Sequence, residues 1–146
     1  MSIWIGIDPG THTGFAVWDS HAKKFVEVAT FPLWRAMDEV RKWQYACDAQ
    51  QTGLYIIFED ARKRTWFKPE HNASEYRGKL MGAGAAKRDS AIWDEYLTAK
   101  HIHFEARKPQ AGMTKWDDVD YWQRVTGWNG RSSEHSRDAA LLVLGR

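Results

Sequence analysis

The sequence is poor in the features that mark secreted, membrane-spanning or repetitive proteins. Cys47 is the only cysteine among 146 residues, which excludes an internal disulfide and fits a reducing compartment. No run approaches the roughly 18 consecutive apolar residues of a membrane span. The chain does not open on a basic patch followed by a long apolar stretch, so no secretory signal is expected. Repeats, low-complexity tracts and linkers are also missing. These absences leave one cytoplasmic domain, 1–146, as the expectation.

What is present is an ordinary apolar content of 43% with 27% charged residues, enough for a soluble globular domain with a sizeable core. Nine tryptophans depart from that ordinariness. The net charge of +2 conceals an asymmetry, because the stretch from Arg62 to Arg88 has eight basic residues against two glutamates. That is a local +6, leaving −4 for everything else. The cations are Arg62, Lys63, Arg64, Lys68, Arg77, Lys79, Lys87 and Arg88. A solvated surface with a basic bias would read the same way, but Trp66, Phe67 and Tyr76 are interleaved with them. Bases stack on such rings while cations track phosphates. Nucleic acid is therefore the expected partner at one face.

Ile3 to Ile7 reads as a buried strand running into Asp8. Pro9, Gly10 and Gly14 break the extended run before a second strand, Phe15 to Trp18. Phe25 to Phe31 alternates as a third strand, stopped by Pro32. Leu33 to Gln50 has helical spacing, with Val40, Trp43 and Cys47 on one stripe, and Gly53 ends it. Leu54 to Phe58 is short, apolar and β-rich, which suits a central strand buried on both faces. A long helix is expected from about Tyr76 to His101 despite Gly78, Gly82 and Gly84, each costing about 1 kcal/mol relative to alanine. Those glycines would let the helix approach another backbone closely, in the sheet or in a neighbouring subunit. Ile102 to Ala106 gives a further strand, closed by Pro109. Thr114 caps a helix from Lys115 to about Thr126, ended by Gly127. Ser132 caps a last helix from Ser133 onward, with Ala139, Leu142 and Val143 toward the sheet. The order describes an α/β domain with a mixed sheet.

A carboxylate inside a sheet is costly unless a partner or a metal offsets its desolvation. Asp8 is thus either a metal ligand or a turn-former within Asp-Pro-Gly. Glu59 ends the central strand, and His135 and Asp138, three apart on the last helix, share a face. Glu59 alternates with Ile57 and Asp60 with Phe58, so the two acids face opposite sides of the sheet. Glu59 is assigned to the cluster, and Asp60 is left to pair with Arg62 or Arg64. Singly, each residue has a structural use as a turn, a strand-end ion pair or a first-turn helix residue. Together, Asp8, Glu59, His135 and Asp138 sit at element ends that can meet, and they read as catalytic metal ligands. Oxygen ligands suit Mg2+ or Mn2+. Two such ions about 3.5–4 Å apart activate a water and stabilise the leaving oxygen of a phosphodiester. That chemistry accounts for acids and a basic face in one molecule.

IGIDPGTHTG with Asp8, YIIFEDAR with Glu59, the glycine-rich helix around Gly82 to Lys87, and HSRDAALL with His135 and Asp138 resemble the RuvC-type Holliday junction resolvases. They follow that family's order over essentially the whole chain. The resemblance implies a ribonuclease H-like fold, with a mixed five-stranded sheet, three antiparallel strands first and parallel ones after, and helices on both faces. It also implies a homodimeric endonuclease with two Mg2+ ions per site that nicks two strands of a four-way DNA junction symmetrically. Asp8, Glu59 and Asp138 match the family's metal-binding acids, and position 135 is an acid in some members and histidine in others. Lys108 and Lys115 lie about where the family has basic residues after its later strand. The segment from Arg62 to Tyr76 is more basic and aromatic than in the bacterial enzymes, and the chain is slightly shorter. Both suit a phage-encoded relative, acting in the host cytoplasm on a broader range of branched DNA.

Rival classes fit less well. An actin-like or sugar-kinase-like phosphotransferase opens with a similar turn but needs two domains to enclose its nucleotide. A branched-DNA binder that does not cut gains nothing from acids facing phosphate. A nuclease of broader branched-DNA or RNA–DNA hybrid specificity is the alternative within the same fold. Of the tryptophans, Trp4, Trp18, Trp43 and Trp93 are expected in the core or a dimer interface. Trp66 is assigned to stacking at a junction centre, and Trp116, Trp122 and Trp128 fit either class.

Overall fold

The structure, a computed structural model, describes residues 1–65, 72–109 and 118–146. In chain order it contains β1 (Ser2–Asp8), β2 (His12–Asp19), β3 (Lys24–Pro32), α1 (Leu33–Gln50), β4 (Gly53–Glu59) and a single helical turn (Ala61–Lys63). These are followed by α2 (Ala73–Ala99), β5 (His103–Arg107), α3 (Val119–Thr126) and α4 (Glu134–Val143). Among the described residues the strands form one five-stranded sheet in the order β3-β2-β1-β4-β5. β1, β2 and β3 pair antiparallel, whereas β4 and β5 are parallel to β1. Parallel strands need long crossovers, which α1 and α2 provide. The C-terminal ends of β1, β3, β4 and β5 therefore share one sheet edge.

Alternation along the strands sorts the core into two layers. Ile3, Ile5, Ile7, Phe15, Val17, Ile56 and Phe58 pack with Ala36 and Val40 of α1 and with Trp93 and Leu97 of α2. Ala16, Trp18 and Ile57 pack on the other side with Ala139, Ala140 and Val143 of α4 and Trp122 of α3. Helices thus cover both faces, as expected of the fold.

α4 lies unusually close to the sheet, and two strand glycines allow it. A Cβ at Gly6 would lie 2.0 Å from the Ala139 carbonyl oxygen, and one at Gly14 would lie 1.9 Å from that of His135. Gly14 does not break the extended run. It lies within β2, opposite Asp8, because helix backbone occupies the space a side chain would need. The helical glycines behave in the opposite way. Nothing approaches within 4 Å of a Cβ built at Gly78, Gly82 or Gly84, so their role is not contact with the sheet. Only the second half of α2 packs, through Asp89, Ser90, Trp93 and Leu97.

Several element ends also differ from the sequence reading. α1 ends with Gln51 in the left-handed conformation, and Gly53 opens β4 instead. α2 begins at Ala73, capped by Asn72, whose side chain accepts from the Glu75 N–H. α3 begins at Val119 with Asp118 as its cap, whereas the expected Thr114 and Lys115 lie outside the described residues. Ser133, not Ser132, caps α4, and it exchanges hydrogen bonds with Ser136. That reciprocal box satisfies two N–H groups, which a cap one residue earlier would leave unpaired. Among the tryptophans, Trp18, Trp93 and Trp122 are buried, while Trp34 is 64% exposed.

Candidate active site

Asp8 ends β1 and, two residues beyond Gly6, points to the α4 side of the sheet. The turn that follows is closed by the buried Thr13, whose hydroxyl donates to the Gly10 carbonyl at 2.7 Å. Gly14 brings the first turn of α4 against β2, and its virtual Cβ is also 3.1 Å from the Asp8 Cβ. The result is a direct contact, with His135 Nδ1 3.1 Å from Asp8 Oδ2. The Asp8 side chain is 20% exposed and that of His135 53%, so the pair is open to solvent. A hydrogen bond between the Thr30 and Ser133 hydroxyls ties β3 to the cap of the same helix. Arg137 donates to Ser132 Oγ at 3.2 Å from inside α4.

Glu59 reaches the same edge through the parallel register. Ile7 pairs with Phe58, so the next step along both strands sets Asp8 beside Glu59, about 4.8 Å apart at Cα. Asp138 follows His135 by nearly one helical turn and is half-buried. Among the described residues, no three His, Cys, Asp or Glu side chains are already gathered into a group that could hold a metal ion. The structure brings Asp8 and His135 into contact, ends the neighbouring strand on Glu59 and sets Asp138 one turn along α4, the last two with interactions of their own. The donor chemistry of the four, three carboxylates and an imidazole, fits a divalent cation.

Asp60 is separate from this group. It is 1% exposed and lies on the α2 side, where Arg62 Nε and Nη2 donate to its two oxygens at 2.8 Å each. Arg62 Nη2 also reaches Asp94 of α2 at 2.6 Å. The Arg62 guanidinium holds the Asp60 carboxyl below the usual carboxylate range, and its own pKa rises in return. Arg62, expected to meet phosphate, directs its Nε and Nη2 donors to two carboxylates and so anchors the strand-end turn on α2. A carboxyl with a depressed pKa contributes stability that is present above its unfolded value near 3.9 and lost as pH falls through the folded value. Asp60→Asn is expected to lower stability at pH 7 by about 1–2 kcal/mol, a figure reduced by Arg62's exposure. The gap from the unaltered protein should close below about pH 4, which denaturant titration at several pH values would check.

The other cations are distributed unevenly. Lys63 and Arg64 are exposed just beyond β4, and Lys63 Nζ donates to the Ala106 carbonyl. Lys108 is exposed directly after β5, at the edge that carries Asp8 and Glu59. Arg77, Lys79 and Lys87 project from the exposed half of α2, and Arg88 pairs with Asp89 at 3.1 Å. Trp66, Phe67, Lys68 and Lys115 lie outside the described residues. Sequence spacing points to Lys108, but the β4–β5 register pairs Arg107 with Glu59. Arg107 donates to Glu105 at 3.0 Å and to the Leu142 carbonyl of α4 at 3.4 Å. Strict alternation from Glu105 would have placed it on the face of Glu59.

No protein-family model matches the chain, and no curated protein sequence is detectably similar to it. Among solved structures the fold is similar to that of RuvC from Thermus thermophilus. The likeness covers 98% of this chain and 92% of that one, with 16% sequence identity and a TM-score of 0.50. The chain therefore has a RuvC-like, ribonuclease H-type α/β fold. None of its described helices is long and apolar enough to cross a membrane.

Proposed function

We propose that this protein is a divalent-metal-dependent endonuclease that cuts branched DNA, chiefly four-way junctions, by paired symmetric nicks. The observation that carries the reading is the Asp8–His135 contact at the sheet edge where Glu59 and Asp138 also lie. When bound there, two Mg2+ ions, or Mn2+ in their place, would supply water activation and stabilisation of the leaving oxygen. Asp8, Glu59, His135 and Asp138 would hold them, and the Asp8–His135 hydrogen bond keeps both side chains turned toward that position. Lys63, Arg64 and Lys108 flank the edge and would hold the phosphates on either side of the cut. Arg77, Lys79, Lys87 and Arg88 would extend the track along α2, with Trp66, Phe67, Lys68 and Lys115 completing it from sequence. Arg62 contributes by fixing the turn that presents Lys63 and Arg64.

A homodimer follows from the same reading, since two symmetric nicks require two sites. The exposed half of α2 is its natural interface. Tyr76 and Leu80, one turn apart and 56% and 50% exposed, would give a second copy an apolar stripe to pack on. The protein is expected to act in the cytoplasm.

The test is incubation with four-way, three-way, duplex and RNA–DNA hybrid substrates in Mg2+, with and without a chelator. Paired nicks in the four-way junction that vanish with the chelator are expected. Equal cutting of all branched forms would support the broader nuclease, and cutting of the hybrid alone the hybrid nuclease. Tight junction binding without cutting in Mg2+ or Mn2+ would leave only a binding module.

A further inference from the structure

Trp34 is the exposed tryptophan among the described residues, and its position follows from two registers. Gly14 pairs with Asp8 on one side and with Thr30 on the other. Pro32, two residues beyond Thr30, pairs with the exposed His12 and leads directly into α1. Two strand spacings and four residues of chain therefore put Trp34 on the order of 15 Å from Asp8, at the same sheet edge but on the α1 face, across the edge from the α4 face to which Asp8 points. The phase of α1 is fixed by Leu33, Ala36, Met37 and Val40, which pack on the core. That phase turns Trp34 outward, 64% exposed. Its neighbour Arg35 is drawn to Glu39 at 2.9 Å. The bond between the Thr30 and Ser133 hydroxyls joins this end of β3 to the cap of α4, so Trp34 and His135 are held by one framework.

An indole at this place is a large flat apolar surface beside a strand end that carries acids. We infer that Trp34 stacks on an unpaired base of the strand being cut, a few nucleotides from the scissile phosphate, and so positions that strand over Asp8 and His135. This inference rests on the nuclease reading above. The partner is a base and not a second protein surface on that reading, in which the cut strand leaves Asp8 across the sheet edge toward β3. Stacking also tolerates any base, so Trp34 would select for unpaired structure and not for sequence.

The experiment uses junctions carrying a fluorescent adenine analogue at successive positions around the cut, bound to protein made non-cutting by Asp8→Asn. Quenching at one position is expected, to be lost in Trp34→Leu and kept in Trp34→Tyr. In the cutting protein, Trp34→Leu should weaken junction binding about tenfold, with duplex binding unchanged. Tyr45, exposed three turns further along α1, provides the control, and Tyr45→Ala should alter neither readout. Unchanged quenching and affinity in Trp34→Leu would overturn this inference alone. Failure of the unaltered protein to bind branched DNA would overturn it together with the nuclease reading.

Discussion

Asp8→Asn is expected to reduce junction nicking on the order of a thousandfold while junction binding stays the same or tightens. The substitution keeps the size of the side chain and its ability to meet His135, so the turn and the seating of α4 should persist. What it removes is the negative charge needed to hold a divalent cation. The same loss relieves repulsion between the site and phosphate, which is why binding should not fall. Nicking rates and binding curves measured on one four-way junction would separate the two effects. Undiminished cutting by the variant would exclude Asp8 as a metal-binding residue. Loss of cutting and binding together, with a lowered melting temperature, would mean that Asp8 is needed for the fold.

Gly14→Ala should be among the most destabilising single-methyl additions in the protein. The new carbon would sit 1.9 Å from the His135 carbonyl oxygen, a contact with backbone that no rotamer change can relieve. Overpacking of this kind costs about 3 kcal/mol, corresponding to a fall of roughly 10 °C in melting temperature for a domain of this size. If α4 instead shifts to make room, His135 and Asp138 move with it, and cutting should fall further than stability predicts. Thermal unfolding and nicking of the same preparation would reveal which relief the molecule takes. A variant of ordinary stability and activity would show that α4 is not seated as described.

These two positions also mark how far the sequence could be read. The separation of Glu59 from Asp60 followed from a two-residue period alone, and the structure keeps Asp60 on the α2 side with Arg62. The strands and their order were legible for the same reason, since apolar alternation and turn residues are local signals. Gly14 was not, because the local pattern Pro-Gly-Thr-His-Thr-Gly looks like an extended turn. Its actual constraint comes from a helix more than a hundred residues later. The glycines of α2 left the sheet and a neighbouring subunit both open, and the structure removes the sheet, because an open face and a closely packed one have the same sequence. Arg107 was obscured by its neighbour Lys108, although alternation from Glu105 already puts it on the face of Glu59 and strand pairing then sets it beside that residue. Trp34 gave no signal at all, since its helix phase is set by which neighbours become buried.

The seating of α4 on Gly6 and Gly14 has a consequence for the protein's tolerance of substitution. Where a helix rests on a strand through side chains, every change of volume in the core alters their separation. Here main chain meets main chain, so the spacing between Asp8 and His135 is insulated from the identity of the surrounding apolar residues. Volume-conserving exchanges among the apolar residues around it would then cost stability without moving the pair, provided the two glycines stay. A chain built this way sets the distance between those two side chains with its backbone and leaves its core to set only its stability.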